Sequence, residues 1–392
     1  MKYDFSTLPN RWNTGAEKYE NMISALPEVK PGTVPFSVAD MDFLPPPELV
    51  QGLKDYVDST IFGYTMTWDG YYDSVISWIK RHHGMDIPRE WIVNADNVLA
   101  GIAQMISSKT QPTDKVVVLT PAYPGFPPTV DAAKRELLRV PLDLKEGHYS
   151  INYDLLEDTL RRADVTFLIF CNPHNPIGRG WTEEEMNSVA EICLRNNVFL
   201  CCDEIHWDIV MSGHKIGSVA NLPEKYWPII AVGTSACKTF NISGLKGGYL
   251  LIPDPDNRAA YKSYEGIPGR NVVAYKAAEI AYTSCEDWMT EMIEVIDGNR
   301  VAMEEFLRAE LPDVGIQPLE ATYLQWLDFR YLGFGAAELE KFMQHEANLF
   351  FTEGYKFGDN GVGFERWNLA CPRQVMMEGL ERLKKAITTN GR

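Results

Sequence analysis

Lys238 stands three residues after Ser235, which closes the apolar run IIAVGTS at 229–235. An amine placed there can condense with an aldehyde and, poised near neutral pH, carry a proton back and forth. A solvated surface lysine is the plain alternative. Asp203 sits at the end of a second apolar run, NVFLCCDE at 197–204, where a lone buried carboxylate would be costly and calls for a cation beside it. An arginine or lysine elsewhere in the chain could equally be that cation. Tyr123 follows KVVVLTP (115–121), Asn175 follows TFLIFCNP (166–173), and His206 lies three residues beyond Asp203. By residue type alone these fit equally well as a packed aromatic, a turn-forming Asn before Pro and a polar core histidine. Arg366 offers a planar fork that suits a carboxylate, or a surface ion pair. A helix start at Val98-Leu99-Ala100 turns backbone N–H groups toward an anion.

The elements that carry these residues are short runs, β-branched or aromatic and apolar on both faces, with GGYLLIP (247–253) as a fifth. Such runs predict strands buried in a parallel or mixed sheet. Between the second and third run lies TEEEMNSVAEICLRNN (182–197), where Thr182 and Glu185 predict a capping box and a helix. Strands alternating with helices make an α/β doubly wound architecture, in which ligands bind beyond the carboxyl ends of the strands. The clusters around Tyr123, Asn175, Asp203, His206, Ser235 and Lys238 therefore converge on one rim. After about residue 280 the pattern changes to amphipathic helices (286–310 and 374–388) around shorter strands, clearest at 321–329. The first 45 or so residues are irregular, ending in Pro45-Pro46-Pro47, and predict an arm that packs on a second domain or subunit.

Composition narrows the function. The chain has 392 residues and a formal net charge of −17, the wrong sign for a nucleic-acid binder or for docking on anionic membrane. Its apolar stretches, near eight residues, fall far short of the ~20 that a membrane helix needs. The N-terminal segment has no apolar core of a secretory signal. Seven cysteines in mostly apolar surroundings, none at zinc-finger spacing, read as small hydrophobes in a reducing cytoplasm, and no metal site is expected.

Seven phrases in order span nearly the whole chain: ADMDF (39–43), FGYT (62–65), CNPHNPIG (171–178), DEIH (203–206), KTFNISGL (238–245), TYLQWLDF (322–329) and ERWNLACPR (365–373). With them the sequence resembles the fold-type I enzymes of pyridoxal 5′-phosphate, the aspartate aminotransferase superfamily. Within that superfamily it is similar to the MalY/PatB group of cystathionine β-lyase-like C–S lyases. The resemblance implies a large domain (46–280) with a mostly parallel seven-stranded sheet between helices, a smaller α+β domain (281–392) and an N-terminal arm (1–45). It implies that Lys238 holds the cofactor as a Schiff base, Asp203 faces the pyridine nitrogen, Asn175 donates to the phenolic oxygen and Tyr123 stacks on the ring. His206 stands where many relatives carry a tyrosine that contacts the same oxygen. Val98, Leu99, Ser235 and Lys246 are implied for the phosphate, with Tyr64 reaching it from the other subunit of a homodimer. Arg366 is implied for the substrate carboxylate, Ala39 and Asp40 for the loop above it, and Arg373 belongs to the motif in a role that can be structural.

Two departures stand out. Lys246 occupies the place of an arginine common in the superfamily, and Cys237 that of a serine. Lyase relatives often lack that arginine, which favours cleavage of L-cystathionine or other cysteine S-conjugates to a thiol, pyruvate and ammonia. An aminotransferase with the same cofactor grip is the first rival, and a non-catalytic descendant acting through protein contacts is the second.

Overall fold

The computed structural model describes residues 1–264 and 271–389, so residues 390–392 of the C-terminal segment lie outside the described residues. The apolar runs form one seven-stranded sheet: β1 (Ile92–Ala95), β2 (Lys115–Thr120), β3 (Glu136–Pro141), β6 (Val165–Cys171), β7 (Phe199–Asp203), β8 (Ile230–Thr234) and β9 (Gly248–Leu251). A small hairpin, β4 (Asp143–Lys145) and β5 (His148–Ser150), hangs after β3. The order across the large sheet is β1-β9-β8-β7-β6-β2-β3. β9 is antiparallel to both its neighbours, and the other pairings are parallel.

Alternation along each strand divides the interior in two. Val116, Val118, Phe167, Ile169 and Cys201 point into one core, where they meet Ile102 and Met105. Val117, Leu119, Leu168, Phe170 and Cys202 point into the other, which continues into the C-terminal part of the chain. Burial on both faces is why these runs show no polar alternation. The capping box forms as expected: Glu185 N–H donates to Thr182 Oγ1 at 3.2 Å and Thr182 N–H to Glu185 Oε2 at 2.9 Å.

A second, antiparallel sheet has the order β10-β11-β13-β12: β10 (Gly315–Ile316), β11 (Leu324–Asp328), β12 (Thr352–Glu353) and β13 (Phe364–Asn368). Long helices at Glu286–Glu310 and Arg373–Thr389 accompany it. The N-terminal stretch ties into this sheet. Phe36 N–H donates to Phe350 O (2.8 Å), Asn368 N–H to Phe36 O (3.0 Å), and Asp42 N–H to Ala370 O (2.8 Å).

That stretch is not wholly irregular, contrary to its composition. Helix α1 (Glu17–Ala25) lies inside it and precedes α2 (Pro47–Ser59), α3 (Asp69–His83) and α4 (Val98–Lys109). α1 starts without a side-chain cap, and one of its buried positions is Lys18, so a charge sits where the helical period calls for an apolar residue.

Candidate active site

Turns leaving β2, β6, β7 and β8 meet at the carboxyl edge of the large sheet. Because β9 runs the other way, its start at Lys246-Gly247 lies on the same edge. Together they enclose a chamber of about 250 Å³. Of the residues expected to hold a cofactor, Val98, Leu99, Tyr123, Asn175, Asp203, His206, Lys238 and Lys246 line it, together with Ala39. A larger cleft of about 1270 Å³ shares Ala39, Tyr123, Lys238 and Lys246 and adds Asp40 and Arg366.

Lys238 rides on a single helical turn, Ala236–Thr239, whose first N–H groups are capped by Ser235: Cys237 N–H donates to Ser235 Oγ at 3.1 Å. Ser235 in turn donates to Gly247 O at 2.7 Å, fastening the lysine's turn to the start of β9. Lys238 Nζ donates to the carbonyl of Ala39 at 2.5 Å. Burial lowers the proton affinity of this amine; the nearby Arg366 acts in the same sense, while Cys237, Asp40 and Asp203 oppose it. A buried lysine released from its usual high pKa is a usable base and nucleophile.

Asp203 closes β7 in a buried position, and its carboxylate accepts one hydrogen bond, from Ile205 N–H at 3.2 Å. Among the described residues it makes no ion pair. Burial pushes its pKa up to about 6, against the pull of the Ile205 bond and of Lys238. Neighbouring Glu204 points away from the chamber and is satisfied by Ser218 Oγ (2.6 Å) and Val219 N–H (2.8 Å). His206 is buried with Nδ1 unpartnered, and desolvation, reinforced by Lys238 and Arg366, keeps the ring neutral. Its ring meets Tyr323 edge-on at 5.5 Å.

Arg366 projects from β13, 3% exposed, and has no carboxylate partner among the described residues. One terminal nitrogen donates to Asn175 Oδ1 at 2.9 Å and the other to Thr352 Oγ1 at 3.0 Å, while Nε has no partner. Burial pulls its pKa down to about 10. A guanidinium held dry without a counter-charge is prepared for an anion.

At the opposite end of the chamber α4 begins. Asn97 Oδ1 caps it by accepting from Ala100 N–H at 2.9 Å, which leaves the N–H groups of Val98 and Leu99 at the chamber wall. Gly248 permits that placement: a Cβ there would lie 3.1 Å from Val98 N.

Three expected residues stand differently. Ser235 lines neither space, its hydroxyl being taken up by Gly247 O and Cys237 N–H. Asp40 borders the cleft, but its carboxylate is gripped by Arg11 (2.6 Å) and Lys18 (3.0 Å). Tyr64 is fully exposed and lines neither space. The sequence reading also passed over Tyr323, Thr352 and Asn241. Tyr323 OH donates to Ala39 O at 2.9 Å, and Asn241 binds the backbone of Met41 and Phe43. Tyr323 and Asn241 lie in the quoted phrases; for Asn241, a polar residue between Phe240 and Ile242 was the available signal.

The aminotransferase class I and II family model matches residues 31–383. Cystathionine β-lyase PatB of Bacillus subtilis is 37% identical over 358 residues, covering 91% of this chain and 92% of PatB. The crystal structure of cystalysin from Treponema denticola, which contains a pyridoxal 5′-phosphate cofactor, superposes with a TM-score of 0.97 at 38% identity, with both chains covered completely. That of the pyridoxal-phosphate-bound C–S lyase from Staphylococcus hominis gives 0.90 at 30% identity, covering 98% of each chain.

Proposed function

This chain belongs to the aminotransferase class I and II family, and from that premise we propose that it is a pyridoxal 5′-phosphate-dependent C–S β-lyase. It cleaves L-cystathionine or related cysteine S-conjugates to a thiol, pyruvate and ammonia. One observation carries the cofactor reading: Lys238 and Asp203 share one small chamber, the amine depressed by burial and the carboxylate buried without an ion pair. The cofactor's aldehyde and protonated pyridine nitrogen are the complements of those two groups. Its phosphate would suit the open N–H groups of Val98 and Leu99 and the Lys246 amine that lines the chamber with them, and Ser235 would turn its hydroxyl from Gly247 O to join them.

When bound, the pyridoxal ring supplies a sink for the electron pair released at the substrate's Cα. Asp203 would hold the pyridine nitrogen in its protonated form, and Tyr123 and His206 would bracket the ring. Asn175 would donate through its amide nitrogen while its Oδ1 steadies Arg366. Arg366 binds the α-carboxylate bidentately and thereby fixes which Cα bond faces Lys238. Lys238 removes the Cα proton and holds it at Nζ. The β-thiolate then leaves, and the remainder of the substrate hydrolyses to pyruvate and ammonia.

The same reading makes the protein a cytoplasmic homodimer with shared sites, in which Tyr64 of the partner subunit reaches the phosphate. Ile61, Phe62, Tyr64 and Met66 form an exposed apolar run, which supports burial against a second copy. Seven free, buried cysteines support a reducing compartment. No helix among the described residues is long and apolar enough to cross a membrane. The arm (1–45), large domain (46–280) and small domain (281–392) divide the chain, supported by the separate sheets at 92–251 and 315–368.

Incubating the purified holoenzyme with L-cystathionine and no keto-acid acceptor tests the reaction. Stoichiometric pyruvate is the expected product. Turnover only when an amino acceptor is supplied would make the chain an aminotransferase instead, and no turnover with a bound cofactor would favour a non-catalytic descendant.

A further inference from the structure

Lys18 on α1 is fully buried. Its Nζ lies 2.9 Å from Asp42 and 3.0 Å from Asp40, and it donates to the carbonyl of Asp40 at 3.1 Å. Arg11 grips the same two carboxylates, at 2.6 Å to Asp40 and 2.9 Å to Asp42. Two cations and two carboxylates therefore cancel in a nearly dry place. Such clusters seldom stabilise a fold more than apolar residues of the same size would, because desolvation offsets the attraction. What this one fixes is the backbone of residues 39–42. Ala39 O, one peptide before Asp40, accepts from Lys238 Nζ at 2.5 Å and from Tyr323 OH at 2.9 Å. Asn241, three residues beyond Lys238, clamps the same loop: its Oδ1 accepts from Met41 N–H at 2.9 Å, and its Nδ2 donates to Met41 O at 3.0 Å and Phe43 O at 3.1 Å.

We infer that the buried Lys18–Asp42 pair is a positioning device that aims the Ala39 carbonyl at Lys238, so that the loop receives the proton-bearing lysine whenever its nitrogen is free. The inference rests on the reading of Lys238 as the cofactor-binding base. A carbonyl can only accept, and it accepts more strongly from an ammonium than from an amine. The charged and titratable groups facing Lys238 are Asp40 on the loop, Asp203 on β7, His206 beyond it, Tyr123 after β2, Tyr323 on the same carbonyl, Arg366 on β13, Lys246 before β9 and Cys237 on its own turn. Lys18 and Asp42 cancel each other, so what they add is the aim of the carbonyl rather than net charge.

Lys18→Met combined with Asp42→Leu removes the pair and leaves Arg11 on Asp40. The full-length variant is stripped of cofactor, pyridoxal 5′-phosphate is added back at a series of pH values, and the rate at which the lysine-bound visible absorbance grows is recorded. Relative to wild type, the midpoint of that pH profile should fall by about 1 unit, roughly a tenfold gain in neutral amine. Once reloaded, the variant should show a kcat for pyruvate release about tenfold lower with KM within about twofold, as expected of a misaimed base. Asn241→Gly, which suits the left-handed backbone there (φ 56°) while deleting the second clamp, should move the midpoint the same way and decides the matter if the double variant does not fold. An unmoved midpoint in either variant, folded and binding cofactor stoichiometrically, overturns the inference. Wild-type failure to release pyruvate would instead sink the lyase reading and leave the rebinding profile to be judged by itself.

Discussion

Burial without an ion pair gives Asp203 a proton affinity close to that of histidine, about 6 instead of 3.8. The unfolded chain loses this proton first as pH rises, so the cofactor-free fold is progressively destabilised between about pH 4 and pH 6. At neutral pH the cost is on the order of 3 kcal/mol. In Asp203→Asn the cost should vanish. Urea midpoints of the two cofactor-free proteins should converge near pH 4, and the variant should become the more stable as pH rises. Comparing the pair also removes the parallel titration of Glu204, which burial raises to about 7. The same variant should bind pyridoxal phosphate more weakly, since a neutral amide cannot hold a pyridinium. Lys238→Ala should abolish the visible absorbance and lower pyruvate release by about 10³-fold or more. Arg366→Lys keeps the charge and loses the fork, so KM for cystathionine should rise by roughly tenfold in steady-state assays. Lys238 and Asp203 could be read as site candidates because each ends an apolar run with a charge, whereas Asn175, which fits a turn, and Arg366 came from the family resemblance. Tyr323 and Thr352 could not, because an aromatic or a threonine in a strand looks like ordinary sheet packing.

Elements were legible where burial wrote a simple pattern. Apolar runs at 115–121, 166–173, 197–204 and 229–235 fall on β2, β6, β7 and β8 within two residues, and the run at 247–253 contains β9. Strand direction left no trace, since a strand buried on both faces looks the same in either orientation; β9 is antiparallel, and that reversal is what delivers Lys246 to the chamber. α1 was hidden because its inward lysine is satisfied only by residues twenty-odd positions later. Close approach between β9 and α4 gives a sharper check on how the phosphate end is built. In Gly248→Ala the new methyl must push Val98 N, at 3.1 Å, by a few tenths of an ångström. The expected result is a cofactor Kd raised by roughly tenfold with far-ultraviolet circular dichroism unchanged. A wild-type Kd would mean that Val98 N–H takes no part in holding the phosphate.

At the scale of the whole molecule the chamber has a floor and a roof of different origin. The floor is the edge of the large sheet; above it Ala39 of the 38–43 loop closes the chamber, and Arg366 and Thr352 from the second sheet line the larger cleft beyond. The third contribution proposed above, Tyr64 of the partner subunit in a homodimer, can be tested by mixing two crippled proteins. Lys238→Ala and Tyr64→Ala, unfolded and refolded together, should recover about a quarter of wild-type activity, because half the dimers are mixed and each mixed dimer has one intact site. Recovery no greater than the sum of the separate proteins would place Tyr64 outside the site.

The hydrogen bonds that join Phe36 and Asp42 with residues 350, 368 and 370 set a schedule for synthesis as well as a shape. On a ribosome residues 36–42 emerge some three hundred residues before the backbone they pair with. Asn368 Nδ2, which donates to the carbonyls of Val38 (2.9 Å) and Asp40 (2.6 Å), must be made before the loop over Lys238 can settle. A nascent chain ending near residue 300 already holds Lys238, Asp203 and Asn175 but lacks Arg366 and any surface on which to lay its own beginning. Until residues 350–370 are made, residues 36–42 are therefore a segment whose backbone lacks its partners, a condition that exposes a growing chain to misassociation and to chaperones.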